Sequence, residues 1–272
     1  APAEDVPAQP TTESAPRSMD ALIIRGGTKL SGRVEVGGAK NAALPVMAAT
    51  LLAPGVHTLR NVPALSDTRT MARVLEQLGA RVEFRGHACK IDTSRVESVE
   101  APYDLVRTMR ASIYVLGPLL ARFGAARVSL PGGCAWGPRP VNLHLDGLNA
   151  MGAALEIEHG YILGRDVHLK GAHIKFDVVS VGATAQLMMA ATLAAGETVL
   201  DNVALEPDIT VLGQILVDCG ADIQGLGTRR IVIRGVKQLR PIDTTIIPDR
   251  IEAATFLAAA AITGGSITLD HC

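Results

Sequence analysis

Leu78-Gly79-Ala80-Arg81-Val82 returns as Met151-Gly152-Ala153-Ala154-Leu155 and again as Cys219-Gly220-Ala221-Asp222-Ile223, a period of about 70 residues. A second anchor keeps the same beat. Ala48-Ala49-Thr50-Leu51 leads through Gly55 to Asn61-Val62, and Ala190-Ala191-Thr192-Leu193 leads through Gly196 to Asn202-Val203. A fourth copy opens at Asp249 (DRIEAATFLAAAAITGGSITL). Ahead of the first and third Gly-Ala pairs, apolar residues recur at helical spacing: Met71, Val74, Leu75 and Leu78, then Ile209, Leu212, Ile215, Leu216 and Cys219. The glycine suits the end of such a helix, and Ser66-Asp67 suits the start of the first one. Val82-Glu83-Phe84 alternates, as a half-buried strand does.

The other helix of each copy is apolar on nearly every side: Ala42–Leu52, Gly182–Ala195 and Ala253–Ala261. Such helices belong in an interior. Each copy therefore reads as βαβαββ, and the chain as an α/β fold with threefold pseudo-symmetry around these three buried helices.

Composition narrows the function. Of 272 residues, 48% are hydrophobic and only 3% aromatic, so the core is aliphatic. A net charge of −1 argues against nucleic acid or an anionic membrane as a bulk electrostatic partner. Any anion must be held by a local cluster. Cys89, Cys134, Cys219 and Cys272 are scattered without metal-ligand spacing and read as free thiols of a reducing cytoplasm. No apolar run is long enough to span a bilayer. Residues 1–18, rich in Pro, Ala, Glu and Thr, read as a disordered leader or tag.

Four segments carry candidate chemistry. Gly37-Gly38-Ala39-Lys40-Asn41 is a glycine turn entering a buried helix, where backbone N–H groups and a lysine could hold an anion. Taken alone, it more often marks an ordinary turn. Leu130-Pro131-Gly132-Gly133-Cys134-Ala135-Trp136-Gly137-Pro138-Arg139-Pro140 places a cysteine in a loop near an arginine, which favours thiolate. The residues alone leave Cys134 open between a reactive thiol and a structural one, and Trp136 reads as packing. In Tyr103–Ser112, Asp104 suits a helix cap, and Arg107 and Arg110 share a face at i, i+3. Val179-Ser180-Val181-Gly182-Ala183-Thr184 mirrors the Lys40 turn at the start of another buried helix.

Together these segments closely resemble the UDP-N-acetylglucosamine enolpyruvyl transferases of cell-wall synthesis, from Met19 to about Leu269. The resemblance rests on SGRVEVGGAKNAALP, APYDLVRTMRAS, SLPGGCAWGPRPVNLH, LKGAHI, VSVGAT, RIVIRGV and PDRIEAATFLAAAAI. It implies an inside-out α/β barrel and transfer of the enolpyruvyl group of phosphoenolpyruvate to the 3′-hydroxyl of UDP-N-acetylglucosamine, releasing phosphate. It implies a cytoplasmic enzyme with these two small molecules as partners, no cofactor, no metal and no obligate protein partner. Lys40, Asn41 and Arg139 match the positions that hold phosphoenolpyruvate. Arg110, Arg139, Pro140, Val141, Asn142, Leu143, Val178, Val179, Ser180 and Val181 match the nucleotide-sugar pocket. Cys134 matches the family's loop cysteine, assigned as proton donor and modified by the donor substrate; proton transfer and product release both stay open for it. Asn142 stands where aspartate is common and Val178 where lysine is common.

The same resemblance implies a division into 19–40 (strands of a second domain), 41–247 (a first domain of three repeats) and 248–272 (the start of the second). The family's base and two further arginines lie on that second domain, so the expectation is that this chain does not catalyse transfer alone. The shikimate-pathway sibling shares fold and donor, but this chain carries the Pro-Gly-Gly-Cys loop and lacks the sibling's serine/arginine-rich turn. A non-catalytic module binding a UDP-sugar or a regulatory partner is the alternative.

Overall fold

The computed structural model describes residues 23–106, 109–131 and 141–272. The leader expected over 1–18 lies outside them, as do Arg107, Cys134, Trp136, Arg139 and Pro140.

The three Gly-Ala pairs end three helices in one way. Helices α2 (Ser66–Gln77), α5 (Asn142–Ala150) and α7 (Pro207–Asp218) are followed by Gly79, Gly152 and Gly220, with φ of 104°, 89° and 108°. Each glycine N–H donates to a carbonyl three residues back, and each following alanine N–H to one five back: Ala80 to Leu75 (3.0 Å), Ala153 to Leu148 (3.0 Å) and Ala221 to Leu216 (2.9 Å). This double closure is the Schellman cap, and its left-handed residue is glycine because a Cβ would clash there. The second anchor is also structural. Asn61 and Asn202 take φ of 55° and 58° and donate from their amides to Ile246 O (3.0 Å) and Phe176 O (2.8 Å).

Elements fall into copies. In the first, β1 (Ser31–Glu35) and α1 (Lys40–Ala49) lead to β2 (Val56–Arg60), α2, β3 (Arg81–Arg85) and β4 (Ala88–Asp92). The second runs β5 (Glu100–Ala101), α3 (Tyr103–Val106), a 3-10 helix (Arg110–Val115), α4 (Leu116–Phe123), β6 (Ala126–Ser129), α5, β7 (Glu156–Glu158) and β8 (Tyr161–Gly164). The third runs β9 (His173–Lys175), α6 (Val181–Ala191), β10 (Glu197–Asp201), α7, β11 (Asp222–Gln224) and β12 (Arg230–Arg234). The fourth comprises β13 (Asp243–Thr245), α8 (Arg250–Thr263) and β14 (Ser266–Asp270).

Three four-stranded sheets share one pattern, a parallel edge strand followed by three antiparallel ones: β5-β6-β8-β7, β9-β10-β12-β11 and β13-β2-β4-β3. The first sheet thus takes its edge from β13, and β1 instead pairs in parallel with β14. The two crossing strands are laced together where they pass. Ala39 N–H donates to Ile247 O (2.7 Å), Asp249 N–H to Gly37 O (2.8 Å), and Gly37 N–H to the Glu252 carboxylate (2.8 Å).

The three central helices are α1, α6 and α4. Ala42–Ala49 of α1, Ala183–Ala191 of α6 and Leu116–Leu120 of α4 are buried, and the three pack on one another with the 3-10 turn. This corrects one expectation. Helix α8, read as buried from its apolar composition, buries only Ala253, while Ile251, Leu257 and Ile262 are exposed. Periodicity reports that a helix has no polar face, and the element that covers it must come from elsewhere. No described element covers α8 on those sides. The helix expected to carry both Arg107 and Arg110 is likewise divided: Asp104 lies inside the short α3 rather than capping it, and Arg110 opens a separate 3-10 turn.

His57 sits wholly inside the first sheet's interface and receives the Ile242 N–H at Nδ1 (2.9 Å), so Nε2 carries the proton toward Ala53 O (3.1 Å) and Thr93 Oγ1 (3.0 Å). Burial pushes its pKa down to about 4. Between pH 6.5 and 4 the unfolded chain takes up a proton that the folded chain refuses, so stability falls as pH falls through that window and levels off below it. One such group accounts for about 3 kcal/mol. Urea midpoints across this range should decline, and His57→Gln, less stable at pH 7, should decline less steeply. A midpoint independent of pH would show that the ring is protonated in place.

Candidate functional site

Each of the three central helices begins at, or just after, a residue expected in the site. Lys40 is the first residue of α1, Arg110 the first of the 3-10 turn that runs into α4, and Val181 the first of α6. Equivalent strand-to-helix connections give these helices one direction. Contacts at both ends agree: the Tyr114 hydroxyl approaches Gly182 at the start of α6, and Arg122 at the far end of α4 donates to Leu51 O beyond α1 (2.9 Å). First-turn amides of a helix have no intrahelical acceptor and carry the positive end of its dipole. Such an end beside a lysine or an arginine makes a place for an anion.

The turns differ in how their first amides are met. No side chain caps α1; the Ala39 carbonyl alone receives Ala42 (3.2 Å) and Ala43 (2.9 Å) N–H groups. Lys40 Nζ is held at 2.9 Å from Asp67 Oδ2, in the first turn of α2. Asn41 is exposed beside it. At α6, the Ser180 hydroxyl caps the Ala183 N–H (3.2 Å), while Val178 and Val179 are exposed. At α5, the Val141 carbonyl receives His144 and Leu145 N–H groups (3.0 and 3.2 Å), and Asn142 opens the helix with Leu143 behind it.

Besides the short α3 and the 3-10 turn ahead of α4, the second copy departs from the repeat in its connection to α5. From β2 to α2 and from β10 to α7 the connection is five residues long, 61–65 and 202–206; from β6 to α5 it is twelve, 130–141. Leu130 stands where the other copies have the bridging Asn61 and Asn202, three residues beyond matching register positions. The extra length holds Cys134 and Arg139. A repeat that keeps its core and lengthens one loop is placing function in that loop.

Among the described expected residues, the structure thus gathers Arg110, Val141–Leu143 and Val179–Val181 around the start of α6, with Lys40 and Asn41 heading the adjacent helix. Sequence reasoning missed Asp67 as the partner of Lys40, having read it only as a helix start. It also missed His144, buried against Gly182; its place directly after Val141–Leu143 was the available signal.

The family model described as EPSP synthase (3-phosphoshikimate 1-carboxyvinyltransferase) matches residues 24–272. The chain belongs to the EPSP synthase family. Within the family, it is 61% identical over 253 residues to the UDP-N-acetylglucosamine 1-carboxyvinyltransferase of Geobacter metallireducens and 59% identical to that of Geotalea uraniireducens. These matches cover 93% of this chain and 61% of each relative, so the chain spans about three fifths of the length of the curated relatives it matches. The enolpyruvyl transferase NikO from Streptomyces tendae superimposes with a TM-score of 0.76 at 28% identity, over 86% of this chain and 56% of that one. The EPSP synthase of Acinetobacter baumannii gives 0.72 at 18% identity, over 92% and 57%, a likeness of fold.

Two thiols can be set aside. Burial pushes Cys89 up to about 12, with Glu76 adding to it, and Cys219 up to about 11, with Asp218 adding to it. Neither forms thiolate near neutrality. An epoxide phosphonate shaped like phosphoenolpyruvate should therefore label Cys134 first, while exposed Cys272 reacts with uncharged alkylators without preference for the phosphonate. Peptide mapping that finds Cys272 ahead of Cys134 with the phosphonate would remove the selectivity assigned to the loop.

Proposed function

We propose that this chain carries the donor- and acceptor-binding face of a UDP-N-acetylglucosamine 1-carboxyvinyltransferase, a transferase of peptidoglycan synthesis. The observation that carries the proposal is the meeting of α5, α6 and the 3-10 turn that Arg110 opens, where His144 and Tyr114 lie against Gly182 and so bring 141–143 beside 179–181.

The chemistry asks for such a site. The acceptor hydroxyl oxygen bonds to C2 of phosphoenolpyruvate as C3 gains a proton; the hydroxyl proton leaves to a base. C2–O(phosphate) then breaks, C3 gives back a proton, and the enol ether and phosphate depart. Both the donor and the diphosphate of the acceptor are anions, so fixed cations and amide dipoles supply the main stabilisation. In this reading Lys40, Asn41 and Arg139 hold the phosphate and carboxylate of the donor. Arg110, Arg139-Pro140-Val141-Asn142-Leu143 and Val178-Val179-Ser180-Val181 hold the nucleotide sugar. Cys134 serves as the acid or as the thiol that adds to the donor. Asn142 and Val178 bring no charge, which leaves the diphosphate to the amides of α6 and to the arginines. Residues 41–247 form the unit that bears these groups apart from Lys40, which ends the 19–40 segment that with 248–272 belongs to a second unit; the base that takes the hydroxyl proton is not among these groups.

The test is calorimetry of the chain with UDP-N-acetylglucosamine, with phosphoenolpyruvate and with shikimate 3-phosphate, joined to intact-mass analysis for a donor adduct on Cys134. Binding of the first two and a single adduct are expected. Preference for shikimate 3-phosphate would move the chain to the sibling reaction, and binding of none would end the proposal.

A further inference from the structure

The segments assigned to the acceptor are joined at one contact. His144 is the third residue of α5, directly after Val141–Leu143, and Gly182 is the second of α6, directly after Val179–Val181. The imidazole lies so close that a Cβ on Gly182 would stand 3.0 Å from Nε2 and 3.1 Å from Cε1. Gly182 is not among the residues with positive φ, so it is space rather than backbone freedom that calls for glycine there. The Tyr114 hydroxyl lies 3.8 Å from the same point. Tyr114 belongs to the 3-10 turn that Arg110 opens, so elements from three places in the sequence share this joint.

The ring is polar and nearly enclosed. His144 is 8% exposed, and its Nδ1 has no hydrogen-bond partner among the described residues. Burial, and then the Arg110 charge, push its pKa down to about 4, so the imidazole is neutral near pH 7. Neutrality suits the place: an imidazolium beside Arg110 and the positive end of α6 would be repelled, whereas a neutral ring leaves that field to a ligand.

We propose that His144 is a positioning residue for the acceptor: wedged against the bare Cα of Gly182, it sets the gap between 141–143 and 178–181. Both segments then meet one anionic nucleotide sugar in register. The proposal rests on the UDP-sugar reading of this site. Alanine at 182 requires the enclosed ring to give by a few tenths of an ångström, a shift that 141–143 would follow, and removal of the ring frees the room that alanine needs.

Four proteins test it: the parent, G182A, H144A and the double variant, each titrated with UDP-N-acetylglucosamine and, as a control, with phosphoenolpyruvate. G182A should weaken the nucleotide sugar by about tenfold, the loss of roughly one well-placed hydrogen bond, with donor affinity held within about twofold. In the H144A background, adding G182A should cost less than about twofold, because the contact is gone. H144Q, which keeps a polar edge of similar reach, should bind closer to the parent than H144A does, and it serves with G182A if H144A fails to fold. Equal cost of G182A in both backgrounds, or equal loss of donor and acceptor, would overturn the positioning role. A parent that binds no UDP-N-acetylglucosamine would instead overturn the reading of the site itself, and the role with it.

Discussion

Lys40→Ala is expected to weaken phosphoenolpyruvate binding by about 10- to 100-fold and, in a full-length version, to lower turnover by about two orders of magnitude or more, as loss of a fixed cation in a charge-stabilising site does. Lys40 has the position for this, as the first residue of an α1 whose start no side chain caps. Its ion pair with Asp67 is 38% and 32% exposed on the two sides and contributes less than about 1 kcal/mol to the fold. The substitution should therefore leave the urea midpoint nearly unchanged while calorimetry shows the lost affinity. Asp67→Asn should fall between the parent and Lys40→Ala, since the ammonium remains but loses the group that aims it. From the sequence, Arg139→Ala in a full-length version is expected to match Lys40→Ala in turnover, read as phosphate release. Rates and affinities within a few-fold of the parent would show Lys40 to be an ordinary solvated charge.

Gly38→Ala should be among the most damaging small changes to the fold. A Cβ there would lie within van der Waals overlap of the Asn61 carbonyl oxygen and 2.9 Å from its carbon, and both are backbone atoms. Asn61 cannot retreat, because its side chain is tied to Ile246 O and its φ is already left-handed. The expected cost is about 3 kcal/mol or more. Gly37→Ala, one residue away, meets only the Glu252 carboxylate at 3.3 Å. That group is the movable end of a side chain, so a cost below about 1 kcal/mol is expected. Similar urea midpoints for the two variants would show that the crossing at 36–39 and 246–249 is looser than its hydrogen bonds indicate.

These residues also mark what could be read beforehand. The Gly-Ala pairs and the Asn-Val pairs were legible because each serves a local need, a left-handed residue at a helix end or strand end, which recurs wherever the unit recurs. The cores of α1 and α6 were legible because they are apolar all round. Helix α4 was not, since Gly117 and Pro118 interrupt its pattern and Arg110 draws attention to a surface role. Helix α8 was misread for the opposite reason: its composition asks for burial, and no described element provides it. In the site, the charged and loop residues were visible as types. The links between them, Lys40 to Asp67 and His144 to Gly182, are tertiary and join segments that no local rule connects.

The edge strand that β13 lends to the first sheet bears on how the chain comes to be folded. Strands β2, β4 and β3 form within about 40 residues of one another, yet the partner of β2 on its other side arrives 185 residues later, where the Ile242 N–H meets His57. During synthesis at about 5–20 residues per second, that edge stays open for roughly ten to forty seconds, with unpaired N–H and C=O groups that another chain could take. Completion is then a long-range closure, slow by the entropy of the loop it must gather. Hydrogen exchange on refolding should find β2 on its β13 side among the last amides protected, after the hairpin of β3 and β4.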